Sequence, residues 1–170
     1  RDYKLIVDTD DKGRLPLLSV YGGKITTYRK LAEAALKNLA PWFTSMKSPW
    51  TAQQPLPGGD IPNYDFERFL VDLVKAYPQL PPVFLRGVAL RHGSLARDVL
   101  QAARDVSDLG ENFGAELFGR EVDYFIEREW ARTAEDILWR RSKAGLLLGK
   151  EQKQALERYV FNKLAATGHR

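Results

Sequence analysis

Strand-like sequence is confined to the first 23 residues of this 170-residue chain, and that limits the fold more than any other feature. One run is Arg1-Asp2-Tyr3-Lys4-Leu5-Ile6-Val7 and the other is Leu15 to Tyr21, mostly apolar and long enough for a buried strand. The polar stretch Asp8-Thr9-Asp10-Asp11-Lys12-Gly13 between them is suited to a hairpin turn. Pro16 must lie at the start or edge of the second strand, because it has no N–H to give to a ladder. Two strands alone are marginal in water, so the hairpin is expected to belong to a larger sheet outside this sequence. The core of the chain itself has to come from helices.

The second strand runs into Gly22-Gly23, where the missing Cβ atoms allow positive φ and close approach of another group to the backbone. Beyond them, Tyr28, Leu31, Ala35 and Leu39 recur at helical spacing, with Ala32 and Leu36 widening the stripe. A helix is expected from about Thr26 to Leu39, capped by Thr26 or Thr27 and stopped by Pro41. A helix N-terminus presents unpaired N–H groups and partial positive charge, and Lys24 adds a full charge beside it. The chemistry suits an anion or an electron-rich carbonyl. A plain strand–turn–helix connection with a solvated lysine uses the same residues.

Residues 41–62 hold Pro41, Pro49, Pro55, Pro57, Gly58, Gly59 and Pro62, which disfavour regular structure. Trp42, Phe43 and Trp50 are expected to pin this ordered linker to a core. Three parts follow: a hairpin plus helix over 1–40, the linker over 41–62, and a helical domain over 63–170. In the last, Asn63 is expected to cap a helix carrying Phe66, Phe69, Leu70, Leu73, Val74 and Tyr77, ended before Pro78. Pro81-Pro82 opens another, with Val83, Phe84, Val88 and Leu90, stopped near Gly93. Ser94 is expected to cap Leu95 to Arg104, residues 105–119 read as a loop, and Glu121 to Trp130 as a helix. Thr133-Ala134-Glu135-Asp136 has the form of a capping box, with Asp in place of Glu or Gln at its last position. Lys150 to Ala166 makes the last helix, with Leu156, Val160 and Leu164 four apart. The expected fold class is mostly α, a short N-terminal β-hairpin followed by a bundle of about six helices.

Cysteine is absent, which removes disulfides, thiolate chemistry and zinc–thiolate sites. With only His92 and His169, a histidine-built metal centre is not expected, and no metal ligand is assigned. No run approaches 18 consecutive apolar residues, and no signal peptide is visible. The net charge of +4 permits an anionic partner without demanding one.

Several clusters have both a chemical and a structural reading. Glu129, Asp136, Arg140 and Arg141 mix acid and base within about a dozen residues, but Asp136 and Arg140 stand i,i+4 and pair locally on a helix. Glu129, at its helix end, is within reach of Arg140 or Arg141. His92 follows Arg91 at a helix end and reads as a cap or surface residue. Trp130 and Trp139 read as core or interface anchors. Arg86, Arg91, Arg97 and Arg104 raise a rival reading, a basic helical interaction or nucleic-acid-binding module without catalysis.

Gly22-Gly23-Lys24-Ile25-Thr26-Thr27-Tyr28-Arg29-Lys30-Leu31-Ala32-Glu33 resembles the closing strand–turn–helix of the flavin domain in FAD-dependent glycerol-3-phosphate dehydrogenases. Leu56-Pro57-Gly58-Gly59 and Val106-Ser107-Asp108-Leu109-Gly110 resemble other family segments. Glu129, Asp136, Leu138, Arg140, Arg141 and Ser142 match a C-terminal family run, with Ser142 in place of the commoner Thr. The likeness covers nearly the whole chain and is greatest to the aerobic, quinone-linked bacterial enzymes.

The resemblance implies that this is the C-terminal third of an enzyme oxidising sn-glycerol 3-phosphate to dihydroxyacetone phosphate. Hydride passes to FAD and electrons go on to quinone; an oxidase using oxygen is the alternative. Arg1 would lie on the substrate side, its guanidinium suited to a phosphate or oxyanion. Gly22, Gly23, Lys24, Ile25 and Thr26 would meet the flavin, with Lys24 also near substrate. Backbone N–H groups and the Lys24 charge would stabilise negative charge growing on the reduced ring. A Gly-x-Gly-x-x-Gly phosphate loop and a catalytic base are absent from this sequence, so no residue is assigned as catalytic. The isolated chain is expected neither to hold FAD tightly nor to turn over substrate. Implied partners are the upstream FAD domain, a second copy in a homodimer and the cytoplasmic face of the inner membrane, with no nucleic acid.

Overall fold

The computed structural model describes residues 3–166. It is mostly helical, with a two-stranded hairpin near the N-terminus. The chain divides into two compact units, Arg1–Pro55 and Leu56–Arg170.

In the first unit, β1 (Lys4–Asp8) and β2 (Leu17–Tyr21) pair antiparallel, from Lys4 opposite Tyr21 to Asp8 opposite Leu17. Pro16 stands immediately before β2, where it removes no ladder bond. Gly13 takes φ +67° in the connecting turn and donates its N–H to the Asp10 carbonyl at 2.8 Å. A 3₁₀ turn, Ile25–Thr27, then leads into α1 (Tyr28–Leu39). None of the described residues of this unit is buried. The expectation of a buried second strand is thereby corrected, since Leu17 is 64% and Tyr21 57% exposed. One ribbon and one helix do not offer enough apolar surface to cover each other. The Trp42 indole N–H does tie its segment to the hairpin turn, donating to the Gly13 carbonyl at 2.8 Å. Phe43 and Trp50 stay exposed, so they do not anchor the segment in a core of this unit.

The second unit has two adjoining apolar cores. The first is built by α2 (Phe66–Ala76), α3 (Pro82–His92) and α4 (Ala96–Leu100), with Leu73, Leu85, Val88 and Leu100 fully enclosed. The second joins β3 (Asn112–Gly114), β4 (Leu117–Phe118), α5 (Gly119–Arg128), a π-helix (Asp136–Arg141) and α6 (Lys150–Ala166) around Phe113, Phe125, Ile137 and Leu156. Tyr124 packs against both. Of the stripe on α3, Phe84 and Val88 are buried, whereas Val83 and Leu90 face solvent.

Local chemistry corrects several boundaries. The cap of α2 is Asp65, whose carboxylate accepts the Arg68 N–H at 2.9 Å, while Asn63 takes a left-handed φ of 55° in the preceding 3₁₀ turn. Asp65→Ala is expected to lower the stability of this unit by about 1 kcal/mol in denaturant unfolding. An unchanged midpoint would return the capping role to another residue. Neither Thr27 at α1 nor Ser94 at α4 caps through its side chain, and α4 stops at Leu100 rather than Arg104 because Gln101 turns to φ 48°. The 105–119 loop contains a 3₁₀ turn (Val106–Leu109) and the small β3–β4 hairpin. The capping box closes reciprocally: Thr133 N–H donates to the Asp136 carboxylate at 3.0 Å, and Asp136 N–H donates to Thr133 Oγ1 at 3.1 Å.

Candidate functional site

The five loop residues singled out in the sequence form one continuous ledge between β2 and α1, and all five are exposed. Gly22 and Gly23 take φ of 77° and 115°, the left-handed half of conformational space that favours glycine. A Cβ on Gly23 would also lie 3.4 Å from Leu31 Cδ2. Lys24 returns to extended backbone, and its carbonyl is fixed by two donors from Thr27, the N–H at 3.0 Å and Oγ1 at 3.1 Å. Ile25 is 89% exposed. The 3₁₀ turn and the first turn of α1 hold no acidic residue, so the positive end of the helix is not neutralised locally. Arg29 instead pairs with Glu33 at 3.0 Å, further along α1. Arg1 lies outside the described residues.

Can this ledge take part of a flavin? The absent Cβ atoms at 22 and 23, the N–H groups of the unfinished first turn and the Lys24 ammonium are donors with open access. That set fits the electron-rich edge of a flat, reducible ring. It does not fit a metal, for which carboxylate, imidazole or thiolate ligands would be needed. Among the described residues no group of three or more His, Cys, Asp or Glu could hold a metal ion.

A second polar constellation, not foreseen in the sequence, lies between the two cores of the second unit. Glu121, at the start of α5, is 2% exposed and receives both Arg91 and His92 from the end of α3. Arg91 Nε and Nη2 donate to its two oxygens at 2.7 and 2.9 Å, and His92 Nε2 lies 2.7 Å from Oε1. Burial alone pushes the Glu121 carboxyl up, but the hydrogen bonds from His92 and Arg91 and their charges outweigh it and hold the group below its usual range. An ionised carboxylate only accepts, so His92 carries its proton on Nε2. Its Nδ1 faces the Glu129 carboxylate at 3.9 Å, and its ring packs on Tyr124 and Phe125. His92 is thus a buried link between helices, which corrects its reading as a cap or surface residue. The available signal was Glu121 itself, an acid on the apolar stripe of Val122, Phe125 and Ile126.

The remaining clusters are structural. Asp136 pairs with Arg140 at 2.9 Å, as its spacing suggests. Glu129 meets Arg141 through its backbone carbonyl, at 3.0 Å from Nε, and not through its carboxylate. Trp139 is half-buried, whereas Trp130 is 78% exposed and anchors no core of the unit. Two of the four arginines of the basic-surface reading are neutralised: Arg86 by Glu67 at 3.1 Å and Arg91 by Glu121. No helix of the described residues is long and apolar enough to cross a membrane.

Comparison with known proteins extends this picture. The glycerol-3-phosphate dehydrogenase of Pseudomonas aeruginosa is 44% identical over 160 residues, 94% of this chain and 31% of that protein. The aerobic glycerol-3-phosphate dehydrogenase of Escherichia coli is 42% identical over 160 residues, covering 94% and 32%. The D-erythritol 1-phosphate dehydrogenase of Brucella abortus is 41% identical over 162 residues, covering 95% and 32%. The chain therefore spans about a third of the length of these curated relatives. Residues 49–165 match the family described as the C-terminal domain of alpha-glycerophosphate oxidase. With the match covering most of its length, the chain belongs to that family of C-terminal domains.

Proposed function

We propose that this chain is the C-terminal region of a flavoprotein that oxidises sn-glycerol 3-phosphate to dihydroxyacetone phosphate, and that the Gly22–Thr26 ledge is its contribution to the flavin site. The observation that carries the reading is the ledge itself: two glycines at positive φ, an exposed lysine and an acid-free helix start, in a chain similar throughout to glycerol-3-phosphate dehydrogenases. FAD, when bound, supplies the acceptor for the hydride that leaves the carbinol carbon. Gly22 and Gly23 let the backbone come close to the ring, and the N–H groups at Ile25 and Thr26 donate toward its electron-rich edge. Lys24 brings positive charge to the same edge and toward the substrate oxygen. Arg1 is assigned the substrate phosphate or oxyanion. The phosphate-binding loop and the base that takes the hydroxyl proton belong to the part of the enzyme outside this sequence, so the chain alone neither holds FAD tightly nor turns over.

Anaerobic addition of glycerol 3-phosphate to the full-length enzyme is expected to bleach the flavin band. Lys24→Ala should slow that bleaching about a hundredfold, the usual cost of removing one preorganised donor. Lys24 is exposed, so the variant is expected to fold normally. A flavin band indifferent to the substrate would sink the reading, and an unchanged rate in Lys24→Ala would remove the ledge from it.

The identity to the D-erythritol 1-phosphate enzyme, 41% against 42% and 44%, supports a second reading in which the substrate is a longer polyol phosphate. Running both substrates in the same bleaching experiment separates the two. We assign quinone as the electron acceptor at the cytoplasmic face of the inner membrane. Quinone reduction without peroxide formation supports that assignment, and peroxide formed in step with turnover would make the enzyme an oxidase. A basic nucleic-acid-binding module finds less support, because Arg86 and Arg91 already have carboxylate partners.

A further inference from the structure

Two adjacent threonines at the ledge have opposite surroundings. Thr26 is exposed, and its hydroxyl enters no hydrogen bond among the described residues. Thr27 is half-buried, and its hydroxyl is engaged. Thr27 stands at the N-cap of α1, where a threonine oxygen ordinarily accepts an N–H from the first turn. Here no such bond forms. The hydroxyl turns backward and donates to the Lys24 carbonyl at 3.1 Å, beside the Thr27 N–H at 3.0 Å. One residue thus holds that carbonyl with two donors.

The same bonds orient a donor. The Lys24 carbonyl and the Ile25 N–H belong to one planar trans peptide unit, so they point in opposite directions. With the carbonyl drawn toward Thr27, the Ile25 N–H is turned away from the helix. The first N–H to find an acceptor within this turn is that of Thr27, which leaves those of Ile25 and Thr26 open. Packing does not hold the peptide in place, because Lys24 is exposed and Ile25 is 89% exposed. The Thr27 bonds do. A half-turn of this peptide would put a carbonyl oxygen where the N–H now stands. Charge nearby is arranged in the same sense. Glu33, the first acid on α1, is engaged by Arg29 at 3.0 Å and by the Thr51 hydroxyl, leaving Lys24 to set the field at the ledge.

We propose that Thr27 is a positioning residue of the flavin ledge: its hydroxyl locks the Lys24–Ile25 peptide with the carbonyl turned inward, so that the Ile25 N–H is presented to the electron-rich edge of a flat, reducible ring. The inference rests on the reading of the ledge as part of the flavin site. A donor already fixed in place stabilises negative charge that grows on reduction without having to reorganise. A carbonyl oxygen in its place would oppose that charge.

The test is the two-electron midpoint potential of FAD in the full-length protein, titrated with redox dyes and no substrate. Thr27→Val keeps the shape of the side chain and removes the hydroxyl, whereas Thr27→Ser keeps the hydroxyl and removes the methyl group. Thr27→Val is expected to shift the reduction equilibrium about tenfold toward oxidised flavin, a fall of about 30 mV. Thr27→Ser should restore the parent's potential. Bleaching by glycerol 3-phosphate should be about tenfold slower in Thr27→Val and close to the parent's rate in Thr27→Ser. A normal potential in Thr27→Val overturns the proposal. So does a lowered potential in Thr27→Ser, which would assign the effect to packing of the methyl group. Should Thr27→Val lose its FAD, Thr27→Ser decides alone: FAD retained at the parent's potential supports the lock, and a lowered potential overturns it. If Lys24→Ala slows bleaching while Thr27→Val changes neither readout, only this inference fails. A parent flavin that ignores the substrate removes the reading beneath it.

Discussion

Glu121→Ala is expected to lower the unfolding free energy of the second unit by about 3–5 kcal/mol, the cost of removing one partner from a buried ion pair. The carboxylate is enclosed, takes both arms of Arg91 and accepts from His92. Without it, a guanidinium and an imidazole between the two cores lose their acceptor, and α3 loses its polar tie to α5. Glu121→Gln keeps the volume and separates the effect of charge from that of packing. The pH dependence has a definite sign. The folded carboxyl titrates below its ordinary value of 4.5, so its stabilisation is present above that value and lost as pH falls through the lower, folded one. Denaturant unfolding of the parent and Glu121→Gln, from neutral pH to below 4.5, should show the stability gap narrowing on the acid side. A gap of less than about 1 kcal/mol at neutral pH would show that Arg91 and His92 are satisfied without Glu121.

Gly93→Ala should be comparably severe, for reasons of space rather than charge. Gly93 ends α3 at φ 57° and ψ −133°, and a Cβ there would lie 1.9 Å from the Gly58 carbonyl oxygen. That carbonyl is held by the Ser94 N–H at 3.0 Å, and a Cβ on Gly58 would in turn meet the His92 carbonyl at 2.4 Å. Backbone faces backbone on both sides, so no rotamer change relieves the clash. A loss above about 3 kcal/mol is expected, since the conformation costs an alanine about 1–3 kcal/mol before any overlap. Gly110 is the control: its φ is 78° and ψ −155°, but a Cβ would meet nothing nearer than 3.7 Å. Gly110→Ala should therefore show the conformational cost alone. Equal losses in the two variants would refute the interlock.

What sequence could reveal here followed range. The stripes of α2 and α6, the stop at Gly93 and the Thr133–Asp136 box rest on neighbours within one turn, and all appear in the structure. The β3–β4 hairpin was invisible because Ala115 and Glu116 take the two positive-φ positions of its loop, at 49° and 59°, where glycine or asparagine would have signalled a turn. His92 was misread because its partner stands 29 residues away on another helix. At the ledge, Gly22, Gly23 and Lys24 were legible by type, since only backbone freedom and charge were at issue. Their openness was not, because exposure depends on what covers a surface and periodicity carries no record of it.

The Gly58–Gly93 interlock also fixes where this protein can be recombined with its relatives. The turn from Leu56 to Gly59, closed by the Gly59 N–H on the Leu56 carbonyl at 2.8 Å, fits against the end of α3 and so travels with the helical unit. A chimera joined in the middle of the proline-rich stretch, after Gly59, would give the helices a foreign strip of backbone where no side chain has room to adjust. A join at Pro55–Leu56 keeps the two glycines from one parent and transfers both cores as a single inheritable block.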